Sequence, residues 1–156
     1  MSSSRRPDVD VRLVRTSEDV ADFIEWLEAR LTTVLAIDTE TTGLEWWTPS
    51  FCRLWQIGDD KAGWAIPVEW WGKVIDHAMG LVVKHRTPIV MHNAKFDMHA
   101  IEVSGWPLPH WDQVLDTAIL MHLHRSDKSR ALKGRGASDL LGPWIYAGKD
   151  ELNRVA

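Results

Sequence analysis

The sequence predicts an α/β fold, a mixed central β-sheet flanked by helices. Three observations carry this reading. Short β-branched runs bounded by turn residues alternate with longer segments whose apolar residues recur at helical spacing. The strand candidates cluster early, and the later order is helix, strand, helix, helix, which gives a sheet with an antiparallel portion built early in the chain. The 156 residues are 45% hydrophobic and 26% charged, the balance of one ordinary globular domain.

Residues 1–9 contain Ser, Arg and Pro and read as a flexible tail, leaving residues 10–156 as a single domain. Val11 to Val14 is a short strand. Thr16-Ser17-Glu18-Asp19 is a helix start, with Thr16 as N-cap and an acid three residues on. Val20, Phe23, Ile24, Leu27 and Leu31 then form one apolar face. Thr33 to Glu40 (TVLAIDTE) is apolar on both faces, which predicts a central strand. Phe51 to Ile57 and Gly63 to Val68 form a hairpin across Gly58-Asp59-Asp60-Lys61. Glu69 to His85 is helical, with Trp71, Ile75, Met79 and Val82 on one face, and Pro88 to Met91 is a short buried strand. Ala94 to Val103 is a helix stopped by Gly105 and Pro107. Val114 to His124 and Arg130 to Leu141 are further helix candidates, the second weakened by Gly134 and Gly136.

Several classes of protein are excluded or disfavoured. No apolar run approaches the ~18 residues of a membrane span, so no membrane is expected as a partner. The single Cys52 cannot form an internal disulfide, and the N-terminus has no apolar stretch behind its charges. A reducing, cytoplasmic compartment is the expectation. The net charge of −4 argues against non-specific electrostatic attraction to nucleic acid as the main function. It leaves room for an enzyme whose acids are masked by metal ions.

Two segments carry chemistry. Asp38 and Glu40 are two apart on a strand, so both carboxylates point to the same face. Holding them together is costly unless positive charge neutralises them, and a pair of oxygen-liganded divalent ions does so economically. A solvent-facing acid pair is the plainer alternative. His92-Asn93-Ala94-Lys95-Phe96-Asp97 follows a buried strand and opens a helix. Asn93 is placed to cap that helix, and Asp97 lies in its first turn, where the helix dipole favours an anion.

Together AIDTETTGL (residues 36–44) and VMHNAKFDMHAI (residues 90–101) resemble the first two motifs of the DnaQ-like, or DEDD, 3′→5′ exonucleases. They are similar in particular to the proofreading exonuclease domains of bacterial and phage DNA polymerase I. Asp116-Thr117 resembles an Asp-Thr pair found downstream in that family. The resemblance covers roughly residues 33–142. It implies a ribonuclease H-like fold and a 3′→5′ exonuclease acting on single-stranded DNA ends. It implies Asp38, Glu40 and Asp97 as the catalytic, metal-binding acids for two Mg²⁺ or Mn²⁺ ions. It implies Thr41 and Leu44 as contacts to the 3′-terminal nucleotide, the leucine as an apolar wedge, and Asn93 as a contact near the penultimate one. The resemblance implies that such ions would neutralise the scissile phosphate, make hydroxide available at neutral pH and stabilise the leaving oxygen.

The same family requires a fourth acid in a third motif, Tyr-x3-Asp or His-x4-Asp. Tyr146 to Asp150 matches the first pattern and His122 to Asp127 the second. His122 to Asp127 leaves too little chain after Asp97 to return to the site. Tyr146 and Asp150 are better placed, although Gly142-Pro143 and Gly148 break the helix such a motif needs. The expectation is that the third motif is absent, the chain being a fragment or an abbreviated homologue, with Tyr146 and Asp150 as the alternative.

Three function readings follow. The first is the exonuclease, working beside a separate DNA polymerase. The second is a catalytically impaired nucleic-acid-binding or polymerase-associated module with the same fold. The third is a 3′→5′ exoribonuclease. Two further features stand beside them. Arg125, Lys128, Arg130, Lys133 and Arg135 form a basic stretch that contacts substrate phosphates or is a solvated face. Of ten tryptophans, Trp26, Trp55 and Trp64 read as packing, and Phe96 as core rather than a stacking platform. Trp46 and Trp47 follow Leu44 directly and read either as packing or as base-stacking.

Overall fold

A computed structural model describes residues 8–48 and 50–127. Residues Val9–Leu115 form one compact unit, and the described residues from Asp116 to Asp127 fall in a second. The helix expected at 130–141, Tyr146, Asp150, Trp144 and the basic residues beyond Arg125 lie outside the described residues.

The elements are β1 (Asp10–Leu13), α1 (Ser17–Glu28), β2 (Leu35–Thr41), β3 (Cys52–Gly58), β4 (Ala62–Pro67), α2 (Val68–Lys84), β5 (Ile89–Met91), α3 (Ala94–Val103), β6 (Val114–Asp116) and α4 (Thr117–His124). The sheet order is β1-β4-β3-β2-β5-β6. β2, β3 and β4 form an antiparallel meander, while β1 joins β4 and β5 joins β2 in parallel. The antiparallel portion expected early in the chain is this meander.

Local chemistry explains the element ends. The Thr16 hydroxyl accepts from the Asp19 N–H at 3.1 Å, and the Asp19 carboxylate accepts the N–H groups of Arg15 and Thr16, each at 2.8 Å. These backbone donors hold Asp19 below the usual carboxylate range. At the β3–β4 turn the Asp59 carboxylate accepts from Lys61 and Ala62 N–H. A Cβ on Gly58 would stand 2.7 Å from the Ala62 carbonyl oxygen, so this close approach requires glycine. Inside α2, Trp71 leaves helical geometry (φ −126°, ψ 21°), and its indole N–H donates to the Val14 carbonyl at 3.2 Å.

Two sequence expectations are corrected. Val114 to Asp116 was expected as the start of a helix and is strand β6. Asp116 then N-caps α4, its carboxylate accepting the Ala118 N–H at 2.8 Å. An N-cap residue takes extended backbone, and the β-branched Val114 favours the same region. Strand β2 is central, between β3 and β5, yet it is not buried on both faces. Leu35, Ile37 and Thr39 are buried, whereas Ala36, Asp38 and Glu40 are exposed.

The core gathers Phe23 and Leu27 of α1, Ile75, Met79 and Val82 of α2, and the inward residues of the strands. Phe23, Trp55 and Trp64 meet ring to ring within it, and the partly buried Trp26 packs against Phe23 and Trp64. Met98 and Ile101 anchor α3 to the same core. Among the described residues no helix is long and apolar enough to cross a membrane.

Candidate active site

The site is assembled where β2 ends and α3 begins. Asp38 and Glu40 share the exposed face of β2, as their spacing requires. Thr39, between them, turns the other way and is buried. The chain leaves β5 through His92 and Asn93 and enters α3 abruptly. Asn93 occupies the N-cap position in the left-handed region (φ 62°, ψ 53°), which asparagine tolerates better than most residues. Its side chain makes no capping hydrogen bond, so the expected cap role is corrected.

Asp97, in the first turn of α3, is 2% exposed. Its Oδ1 accepts from the Thr39 backbone N–H at 2.9 Å and from the Thr39 hydroxyl at 2.7 Å. The residue separating Asp38 from Glu40 thus holds the third acid, 58 positions away in sequence. Burial, then the nearby Asp38 charge, push the Asp97 carboxyl up to about 6, and the Thr39 hydrogen bonds oppose this. Cys52 opposite Thr41 reports the same field. Burial pushes its thiol up to about 12, reinforced by Asp97 and Glu40.

Gln56 was not anticipated. It lies opposite Asp38 on β3, and its Nε2 donates to Asp38 Oδ2 at 3.2 Å. No motif marks it. Only the antiparallel register of β2 and β3 places it there, and the loop of residues 42–51 that joins those strands carries no short turn motif to set that register.

The donor set of Asp38, Glu40 and Asp97 is oxygen-only and over-rich in negative charge, which suits hard divalent cations such as Mg²⁺ or Mn²⁺. Among the described residues no three His, Cys, Asp or Glu side chains stand close enough to enclose an ion. The fit to such an ion therefore rests on the chemistry of these oxygen donors and on the repulsion that Asp38 exerts on Asp97.

Leu44 and Asn93 are brought together as walls of one cleft of about 390 Å³, with Trp46, Phe51, Lys95, Phe96 and His99. Leu44 is 80% exposed. The Thr41 hydroxyl instead donates to the Gly43 carbonyl at 2.8 Å. Phe96 is half-buried against Phe51 and lines the cleft, which corrects its reading as core. Asp127 pairs with Arg125 at 3.1 Å in its own turn.

The fold is the ribonuclease H-like α/β fold of DEDD exonuclease domains. Residues 11–124 match the model of the 3′-5′ exonuclease family, and the chain belongs to that family. It is 38% identical over 122 residues to the DNA polymerase of Mycobacterium phage L5, a match covering 74% of this chain and 20% of that one. To the DNA polymerase of Mycobacterium phage D29 it is 32% identical over 118 residues, covering 74% and 19%. The chain thus spans about a fifth of the length of these curated relatives. Among solved structures, Trypanosoma brucei RNase D in complex with RNA U12 matches with a TM-score of 0.62 at 18% identity, covering 80% of this chain and 44% of that one. Escherichia coli RNase D, an exoribonuclease, matches with a TM-score of 0.52 at 16% identity, covering 94% and 45%.

Proposed function

We propose that this chain hydrolyses phosphodiester bonds at the 3′ ends of single-stranded DNA, in the cytoplasm and beside a DNA polymerase. One observation carries the reading: the Asp97 carboxylate is held by Thr39, the residue between Asp38 and Glu40. Identity to two phage DNA polymerases favours DNA over RNA.

In this reading Asp38, Glu40 and Asp97 hold two Mg²⁺ or Mn²⁺ ions. When bound, the ions supply charge stabilisation at the scissile phosphate and acidify water. The protein's own groups prepare for them. Gln56 fixes the orientation of Asp38. Thr39 occupies one Asp97 oxygen with two hydrogen bonds and so sets the direction of the other. Leu44 and Asn93 position the terminal nucleotides, with Thr41 acting through the loop it ties down. Hydrolysis breaks the P–O3′ bond, leaving a new 3′-hydroxyl and a released 5′-nucleotide. Tyr146 and Asp150 are proposed as the third motif, Asp150 as the fourth acid and Tyr146 to orient the attacking water.

The test is a time course on 5′-labelled single-stranded DNA and RNA with Mn²⁺, beside Asp38→Ala and Asp150→Ala. A ladder on DNA from the wild type, abolished by EDTA and by Asp38→Ala, is expected. No ladder on either nucleic acid would sink the enzyme reading, and a ladder on RNA alone would reassign the substrate. Activity kept in Asp150→Ala would remove that residue from the site.

A further inference from the structure

The cleft beside the carboxylates is walled by aromatic rings from three segments of the chain. Trp46, in the loop after β2, meets the His99 ring of α3 edge-on, with centroids 4.6 Å apart at 78°. His99 Nδ1 lies 3.5 Å from the Glu102 carboxylate, one turn on along α3. Trp47 packs edge-on against Trp46 at 5.7 Å. Phe51 and Phe96 make a second edge-on pair at 6.0 Å. Lys95, exposed on α3 one turn before His99, lines the same cleft.

This cluster is unlike the core tryptophans. Trp55 is fully enclosed and Trp64 nearly so, whereas Trp46 keeps 46% of its surface open although it contacts two other rings. A supported yet open aromatic face is suited to stacking. The cleft volume, about 390 Å³, falls near the low end of small-ligand sites and suits one planar ring system rather than a peptide helix. A cation on the same wall adds affinity for an anion attached to that ring. Those features complement one unstacked nucleobase and its phosphate.

We propose that Trp46, buttressed by His99, is the stacking wall of a slot that seats one unpaired base of the substrate strand, with Lys95 engaging the adjoining phosphate. This rests on the nuclease reading above and adds residues to it. Stacking tolerates any base, so the slot gives affinity for single strands without sequence preference.

The test is fluorescence anisotropy of a 5′-fluorescein twelve-residue oligothymidylate in Ca²⁺, with the oligonucleotide shown to remain intact. Trp46→Ala is expected to weaken binding at least about fivefold, and Trp46→Phe to restore most of it. Lys95→Gln is expected to lower the slope of log affinity against log salt by about 0.7. Trp111→Ala, an exposed tryptophan away from the cleft, is expected to leave binding unchanged. An oligonucleotide abasic at its last two 3′ positions should bind wild type and Trp46→Ala alike. If the wild type binds and cleaves DNA while Trp46→Ala binds equally well, the slot is overturned and the nuclease reading stands. If the wild type neither binds nor cleaves, both fall.

Discussion

At the scale of single residues, Asp97 carries the tension of the site. Its folded pKa of about 6 lies above the 3.8 of a free carboxyl, so folding favours its neutral form. The stability this contributes is fully present below pH 3.8 and is lost as pH rises through 6. The loss amounts to about 3 kcal/mol at most in the metal-free protein. Asp97→Asn keeps an oxygen for the two Thr39 hydrogen bonds and removes the ionisation. In EDTA at pH 7.5 its Tm should therefore exceed that of the wild type by several degrees, and the gap should close towards pH 4. Thermal melts across that range check this, and a variant no more stable than wild type at pH 7.5 would refute it. Asp38, Glu40 and Asp97 were legible because they belong to short local motifs. Gln56 was not, because its role exists only through the strand opposite.

At the scale of elements, burial sets the enclosed tryptophans apart from the exposed ones. Trp55 on β3 is fully enclosed beside Phe23 of α1. Trp55→Ala should cost about 3–5 kcal/mol, since it removes a large ring and leaves a cavity. Trp47→Ala, 65% exposed, should stay within about 0.5 kcal/mol. Urea unfolding of the two variants distinguishes them, and equal losses would contradict this division. The cap of α1 was legible from Thr16 and Asp19 because a capping box is a four-residue event. Strand β6 was not, because three residues carry too little periodicity to separate a strand from the first turn of a helix.

At the scale of the whole molecule, a chain of net charge −4 concentrates three acids where two elements meet. Divalent ions that bind this arrangement and not the unfolded chain must stabilise it. At a hundred times its Kd, Mn²⁺ should contribute about 2.7 kcal/mol. That corresponds to roughly 5–10 °C in Tm for a chain of this length. Asp38→Ala should lose most of the shift. Differential scanning fluorimetry with a Mn²⁺ titration measures it, and an equal shift in Asp38→Ala would place the ions elsewhere.

The sequence by itself determined the fold class and the helix and strand order through α3, and it singled out the three candidate acids, because periodicity, caps and short motifs act over a few residues. Tertiary structure alone decided that Thr39 holds Asp97, that Gln56 faces Asp38, and that Trp46 and His99 meet over the cleft holding Leu44 and Asn93. Those contacts join elements set side by side by sheet register and core packing, and their partners are fixed only when the whole sheet forms.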